Sequence, residues 1–173
     1  DPAEAVAYHV CCQSILERAT RPVSFTPVGL ANAPQEYTRS RGEKDSTEFA
    51  IARFMVPWMC AYQGVALFID GDMVFRGDVV ELFETVENDK AVSVVKHDYI
   101  PKSAKKFLDQ EQTRYPMKNW SSVMLFNNPM CKKLTLDYVQ TAPGLDLHQF
   151  KWVREADIGE LNATWNHLVG EYP

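Results

Sequence analysis

The residues best suited to chemistry lie in VALFIDGDMVFRGDVVELF, residues 65–83. Five apolar residues, Val65 to Ile69, run directly into Asp70, Gly71 and Asp72. A short apolar run that ends at a glycine-containing turn reads as a buried strand. In a parallel sheet, ligands bind beyond the carboxyl ends of the strands, and Asp70 stands at such an end. If the chain stays extended there, Asp70 and Asp72 point the same way. Gly71 leaves room for a ligand to approach the backbone. Two hard oxygen donors on one side suit a divalent cation that also holds phosphate oxygens. The plainer reading is a polar turn after a strand.

The surrounding elements must position that pair. DPAEAVAYHVCCQSILERAT opens with Asp1 as an N-cap, Pro2 at the first helical position and Glu4 three residues on, so a helix is expected. Ala7, Val10, Cys11 and Ser14 fall on one stripe of it. VSFTPV (23–28) reads as a short strand and residues 29–46 as a loop, with YTRSR a solvated part of it. STEFAIARFMVPWMCAY reads as a second helix in which Phe49, Ala52, Arg53 and Val56 share a face and Pro57 forces a break or kink. Asp78 should cap a helix carrying Val79, Leu82, Phe83 and Val86. AVSVVK (91–96) and SSVMLFN (121–127) are strand candidates, and Asn128-Pro129 should start a helix running to about Val139. Residues 97–118 read as irregular or briefly helical, and Leu147–Val153 as a short segment. The strands are continuous apolar runs alternating with helices, which predicts an α/β fold whose sheet is covered on both faces and mostly parallel. Such folds usually begin with a strand, so one is expected ahead of Asp1.

The chain has 173 residues, enough for one domain over 1–173 with a real core. Net charge is −5 and no basic run occurs, which argues against a nucleic-acid partner. No apolar run approaches the roughly 20 residues of a membrane span. Cys11, Cys12, Cys60 and Cys131 form no CxxC pair, so reduced core thiols and a cytoplasmic setting are expected. In that setting the sequons at Asn119 and Asn162 are coincidences.

Three chemistries compete for Asp-Gly-Asp. Asp70, Asp72 and Glu81 match positions 1, 3 and 12 of an EF-hand loop. Val74 and Phe75 then occupy a ligand position and the required glycine, and a strand rather than a helix precedes, so calcium is excluded. A phosphatase of the haloacid dehalogenase type would use Asp70 as nucleophile and Asp72 as general acid. Its motif normally follows the first strand, and Gly77-Asp78 comes too soon for its later acidic pair. A sugar-nucleotide transferase would use both aspartates to hold a metal against the donor diphosphate.

The wider context, ARFMVPWMCAYQGVALFIDGDMVFRGDVVELF, resembles glycosyltransferase family 8 and its relatives of the GT-A fold. The resemblance rests on Arg53, Pro57, the Val65–Ile69 run, Asp70 and Asp72, Asp78, and Leu82-Phe83. NWSSVMLFN, Trp165-Asn166 and the opening DPAEAVAYHVCCQSIL extend it over nearly the whole chain. It implies a three-layer α/β/α GT-A sandwich with a mixed, mostly parallel sheet. It also implies retaining transfer from a nucleotide sugar, commonly UDP-linked, to a saccharide or other hydroxyl acceptor, with Mn2+ or Mg2+.

By the same resemblance Asp70 and Asp72 are metal ligands, and Tyr8, Arg53, Asn119 and Ser121 join them around the donor. Gln149, in HQF at 148–150, corresponds to the residue beside the reacting sugar face. Plainer roles exist: a salt bridge from Arg53 to the aspartate loop, core packing for Tyr8, and a polar surface position for Gln149. His97 could line the cleft or be capped. The family's third metal ligand, a histidine, is expected beyond Pro173, which predicts weak or absent metal and donor binding by these 173 residues alone. A divergent or truncated domain that only packs or binds is the non-enzyme alternative.

Overall fold

The computed structural model describes residues 4–40, 42, 49–97 and 116–170. It is a mixed α/β structure. Helix α1 spans Ala5–Leu16; the expected cap at Asp1 and Pro2 lies outside the described residues. Its buried stripe is Cys11, Ser14 and Ile15, whereas Val10 is exposed, so the inward face lies further round than Ala7 and Val10 suggest.

The second helix is broken, as Pro57 requires. Helix α2 (Phe49–Ala52) passes through a 3-10 turn at Arg53–Met55 into α3 (Val56–Met59). Pro57 has no N–H for the carbonyl of Arg53, and its ring pushes that carbonyl aside. Helix α4 is Val80–Glu84. Asp78 initiates it from outside: Oδ1 accepts from Val80 N at 2.9 Å, and Oδ2 accepts from Thr20 N and Oγ1 at 3.2 and 2.5 Å.

The sheet is built from β1 (Val65–Ile69), β2 (Val92–Val94), β3 (Val123–Asn127) and β4 (Ile158–Glu160), in the order β1-β3-β2-β4. Strand β3 runs antiparallel to both β1 and β2, and β2 and β4 are parallel. The sheet is therefore mixed, as expected, but antiparallel pairing prevails among the described strands, because β3 inserts reversed between β1 and β2. Alternation sends side chains to both faces. Phe68, Val92, Val94, Met124, Phe126 and Ile158 pack with residues of α2, α3 and the 131–152 region. Val123, Leu125, Val95 and Leu161 pack on the other face with Cys11, Ile15, Phe75 and Leu82.

Three other expectations are corrected. Residues 23–28 form no strand: Pro27 cannot donate to a ladder, and the segment runs as irregular chain. No single helix runs from Asn128 to Val139. Asn128–Met130 is a 3-10 turn whose Asn128 side chain is buried and donates to Gln63 O at 2.8 Å instead of capping. Helix α5 (Leu136–Thr141) begins later, with Thr135 Oγ1 accepting from Tyr138 N at 3.1 Å. The Leu147–Val153 segment is the end of α6 (Gly144–His148), followed by a turn with Phe150 at φ 55°.

Strand β4 was not expected at all. Gly159 is the reason it can pair: a β-carbon there would run into Ser93 Oγ and lie 3.1 Å from Lys90 Cγ. Gly159→Ala should therefore destabilise the chain by about 1–3 kcal/mol, read as a lowered urea midpoint. An unchanged midpoint would show that Ser93 yields freely.

All four cysteines are free thiols. Burial pushes Cys131 up to about 12 and, with the neighbouring Cys12, Cys11 to about 11. Both are protonated near pH 8 and unreactive. Iodoacetamide should label the partly exposed Cys12 and Cys60 first, and Cys11 and Cys131 only on unfolding. Equal labelling rates for Cys131 and Cys60 in the folded chain, followed by mass spectrometry, would contradict this.

Candidate functional site

The site is organised around a buried cation. Arg53 comes from the 3-10 turn between α2 and α3 and is only 6% exposed. Its Nη1 lies 2.9 Å from Asp70 Oδ1 and donates to Ser121 O at 2.9 Å, while Nε donates to Phe49 O at 3.3 Å. The guanidinium also lies against two rings, 5.1 Å from the centroid of Phe49 and 4.9 Å from that of Phe68. Planar faces and a rigid fork of donors are what guanidinium offers and ammonium does not. The salt bridge weighed for Arg53 is thus present.

Asp70 leaves β1 with its N–H donating to Ser122 O at 3.0 Å. Its side chain is 20% exposed. Burial pushes its carboxyl above the usual range, Arg53 and a hydrogen bond with Ser122 pull it down, and the Asp72 charge adds to the rise. Arg53 stands beside Oδ1 as a charge, but that oxygen receives no aligned hydrogen bond.

Residues 71 and 72 form a turn, so the chain is not extended through Asp-Gly-Asp. The two carboxylates consequently occupy different environments: Asp70 is mostly enclosed and Asp72 is exposed. The Asp72 charge is still near enough to add to the rise that burial causes at Asp70. Glu4, at the start of α1, joins them: burial and then the charges of Asp72 and Asp70 raise its carboxyl. Among the described residues, no three His, Cys, Asp or Glu side chains gather into a group able to hold a metal by themselves.

Tyr8 lies against this turn. A β-carbon on Gly71 would sit 3.6 Å from Tyr8 Cβ and 3.9 Å from its Cδ2, so Gly71 leaves a narrow space there. Burial, with a hydrogen bond to Cys12, raises the Tyr8 phenol to about 12.

Of the remaining expected residues, Ser121 is joined to the cluster twice. Its carbonyl accepts from Arg53, and its hydroxyl lies 2.8 Å from His148 Nδ1. Asn119 has φ 64°, a conformation asparagine tolerates, and its carbonyl accepts from Ser122 N at 3.2 Å and Asn166 Nδ2 at 3.4 Å. Its visible role is to turn the chain into β3. Gln149 is half-buried at the end of α6, and the tie from α6 into the cluster is made by its neighbour His148. His97 is buried, with its carbonyl accepting from Trp120 Nε1 at 3.2 Å. Trp165 packs on Phe75 and beside Gly77.

Sequence reasoning missed Glu4 and Ser122 as members of the cluster. It gave His148 no role. HQF was a visible signal, but the partner of its histidine is 27 positions away.

No model of a known protein family matches the chain, and no solved structure matches it. Protein CDI of Arabidopsis thaliana is 40% identical over 174 residues, covering 98% of this chain and 67% of the relative. The chain belongs to the Protein CDI family.

Removing Arg53 would leave Asp70 enclosed without its counter-charge and Ser121 O without its donor. Breaking such a pair from one side costs about 3–5 kcal/mol. Arg53→Ala should lower the unfolding free energy by about 3 kcal/mol in a urea titration and move the Asp70 carboxyl further up. A loss confined to the few tenths typical of a surface pair would show that the guanidinium is not the anchor of this region.

Proposed function

We propose that this chain is the donor-binding core of a metal-dependent retaining glycosyltransferase built on a GT-A-type three-layer sandwich. It would move a sugar from a nucleotide sugar, UDP-linked, to a saccharide or other hydroxyl acceptor. The observation that carries the reading is the position of the Asp-Gly-Asp turn. It lies at the carboxyl end of β1, Asp70 is fixed by Arg53, and Tyr8 lines Gly71. Helices on both faces of the sheet support the sandwich, and free thiols fit a reducing, cytoplasmic setting.

The donor set fits a hard divalent cation such as Mn2+ or Mg2+. It offers two carboxylates, and the enclosed Asp70 oxygen beside Arg53 receives no aligned hydrogen bond. Asp70 and Asp72 would hold the ion, which when bound supplies Lewis-acid stabilisation of a leaving diphosphate. The chain's own residues do the rest. Arg53 fixes the direction of Asp70 before any ligand arrives, while Asp72, exposed, can adjust. Tyr8 offers a ring edge beside the space left by Gly71, suited to a nucleoside base. Gln149 would stand on the sugar side, at the end of α6.

Calorimetric titration of UDP with Mn2+ into the full-length protein should give binding heat that Asp70→Ala abolishes and Asp72→Ala weakens at least about tenfold, the loss of one charged contact. Absence of heat with the wild-type protein would sink the transferase reading. Phosphate release from a generic phosphomonoester, lost in Asp70→Asn, would favour the phosphatase instead.

A further inference from the structure

His148 is joined to Asp70 by an unbroken series of short contacts. Its Nδ1 lies 2.8 Å from Ser121 Oγ, Ser121 O accepts from Arg53 Nη1 at 2.9 Å, and Nη1 lies 2.9 Å from Asp70 Oδ1. The ring is held from a second direction. Phe54, the residue after Arg53, meets it edge-on with centroids 5.2 Å apart and planes at 80°. Ser121 is buried, so its hydroxyl needs a partner from the protein, and His148 supplies one.

Ser121 sits in the 3-10 turn Trp120–Ser122 that leads into β3. The next residue, Ser122, accepts from Asp70 N through its carbonyl at 3.0 Å, and its side chain is one of the influences that lower the Asp70 carboxyl. A shift of this turn would therefore move both the donor side of Arg53 and the partners of Asp70.

We propose that His148 is a positioning residue that fixes the Asp70 carboxylate through Ser121 and Arg53. It touches neither aspartate. It holds the Ser121 hydroxyl, which keeps the Ser121 carbonyl in line with Arg53 and so keeps the guanidinium against Asp70. The proposal rests on the reading of Asp70 as the working carboxylate of the site, but its test needs no ligand.

The test is NMR of the full-length protein, following exchange of the Arg53 Nε–H and titration of the Asp70 carboxyl carbon. His148→Ala should speed Arg53 Nε–H exchange about threefold to tenfold, the loss of one ordinary hydrogen bond, and move the Asp70 titration upward. His148→Asn, which keeps a nitrogen near the Nδ1 position, should restore much of both. Ser121→Ala, which keeps the ring but removes the hydroxyl, should behave like His148→Ala, and the double variant should add little to either.

Wild-type exchange and titration in a folded His148→Ala would overturn the proposal. If that variant does not fold, Ser121→Ala decides: unchanged Arg53 and Asp70 signals there overturn it equally. Failure of the transferase reading shows separately, as missing UDP–Mn2+ heat in a protein whose Arg53 and Asp70 signals still respond to His148.

Discussion

A guanidinium that is 6% exposed has to be neutralised and hydrogen-bonded, and that requirement at Arg53 organises this molecule. Its partners come from separate parts of the chain: Phe49 from α2, Phe68 from β1, Asp70 just after it, and Ser121 from the turn into β3. The helix, the strand and the turn must all meet at the guanidinium to satisfy them. A wholly apolar side chain at position 53 could pack, but it would specify none of these directions. Lysine could reach Asp70, but it lacks the planar fork that serves a carboxylate and two carbonyls together.

The same cation separates two chemically identical carboxylates. Asp70 is enclosed beside Arg53, and Asp72 faces solvent one turn position later. Enclosure opposes ionisation of Asp70 more strongly than Arg53 favours it, and the Asp72 charge works in the same direction as enclosure. Glu4 shares that stress. The region therefore holds carboxyl groups in excess of its one buried arginine. A cation arriving on the Asp72 side would relieve the excess, whereas an anion would add to it. A diphosphate would need a cation with it, which is why the arrangement favours a metal-assisted reading over a bare anion site.

Parts of this were legible from residue order and parts were not. β1, β2 and β3 were legible because an apolar run covered on both faces leaves few alternatives. An arginine within such a run, before a strand that ends on aspartate, could be read as a salt bridge for the same reason. β4 was illegible because Ile-Gly-Glu has no strand signal: what selects Gly159 is the closeness of Ser93, a contact between distant segments. The idea that Asp70 and Asp72 point together assumed an extended backbone, and the turn at Gly71 removed that premise. Asn119 resembled a ligand-binding asparagine, yet its visible task is a left-handed backbone position. His148 was illegible as a partner of Ser121 because nothing in local spacing brings α6 to the start of β3.

The segment after the turn is held from the opposite face of the sheet. Ser14 Oγ accepts from Phe75 N at 2.9 Å and donates to Cys11 O at 2.7 Å, so α1 grips the chain three residues past Asp72. Asp78 ties the end of the segment to Thr20, and Trp165 covers Phe75. Asp70 is thus fixed by the Arg53 side and Phe75 by the α1 side, with Asp72 and Val74 left exposed between them. A short span anchored at both ends can vary the direction of an exposed side chain without moving the backbone that carries it. That division gives one carboxylate of fixed direction and one that can adapt. It suits a site whose ligand arrives with its own geometry, because the fixed group needs little reordering on binding.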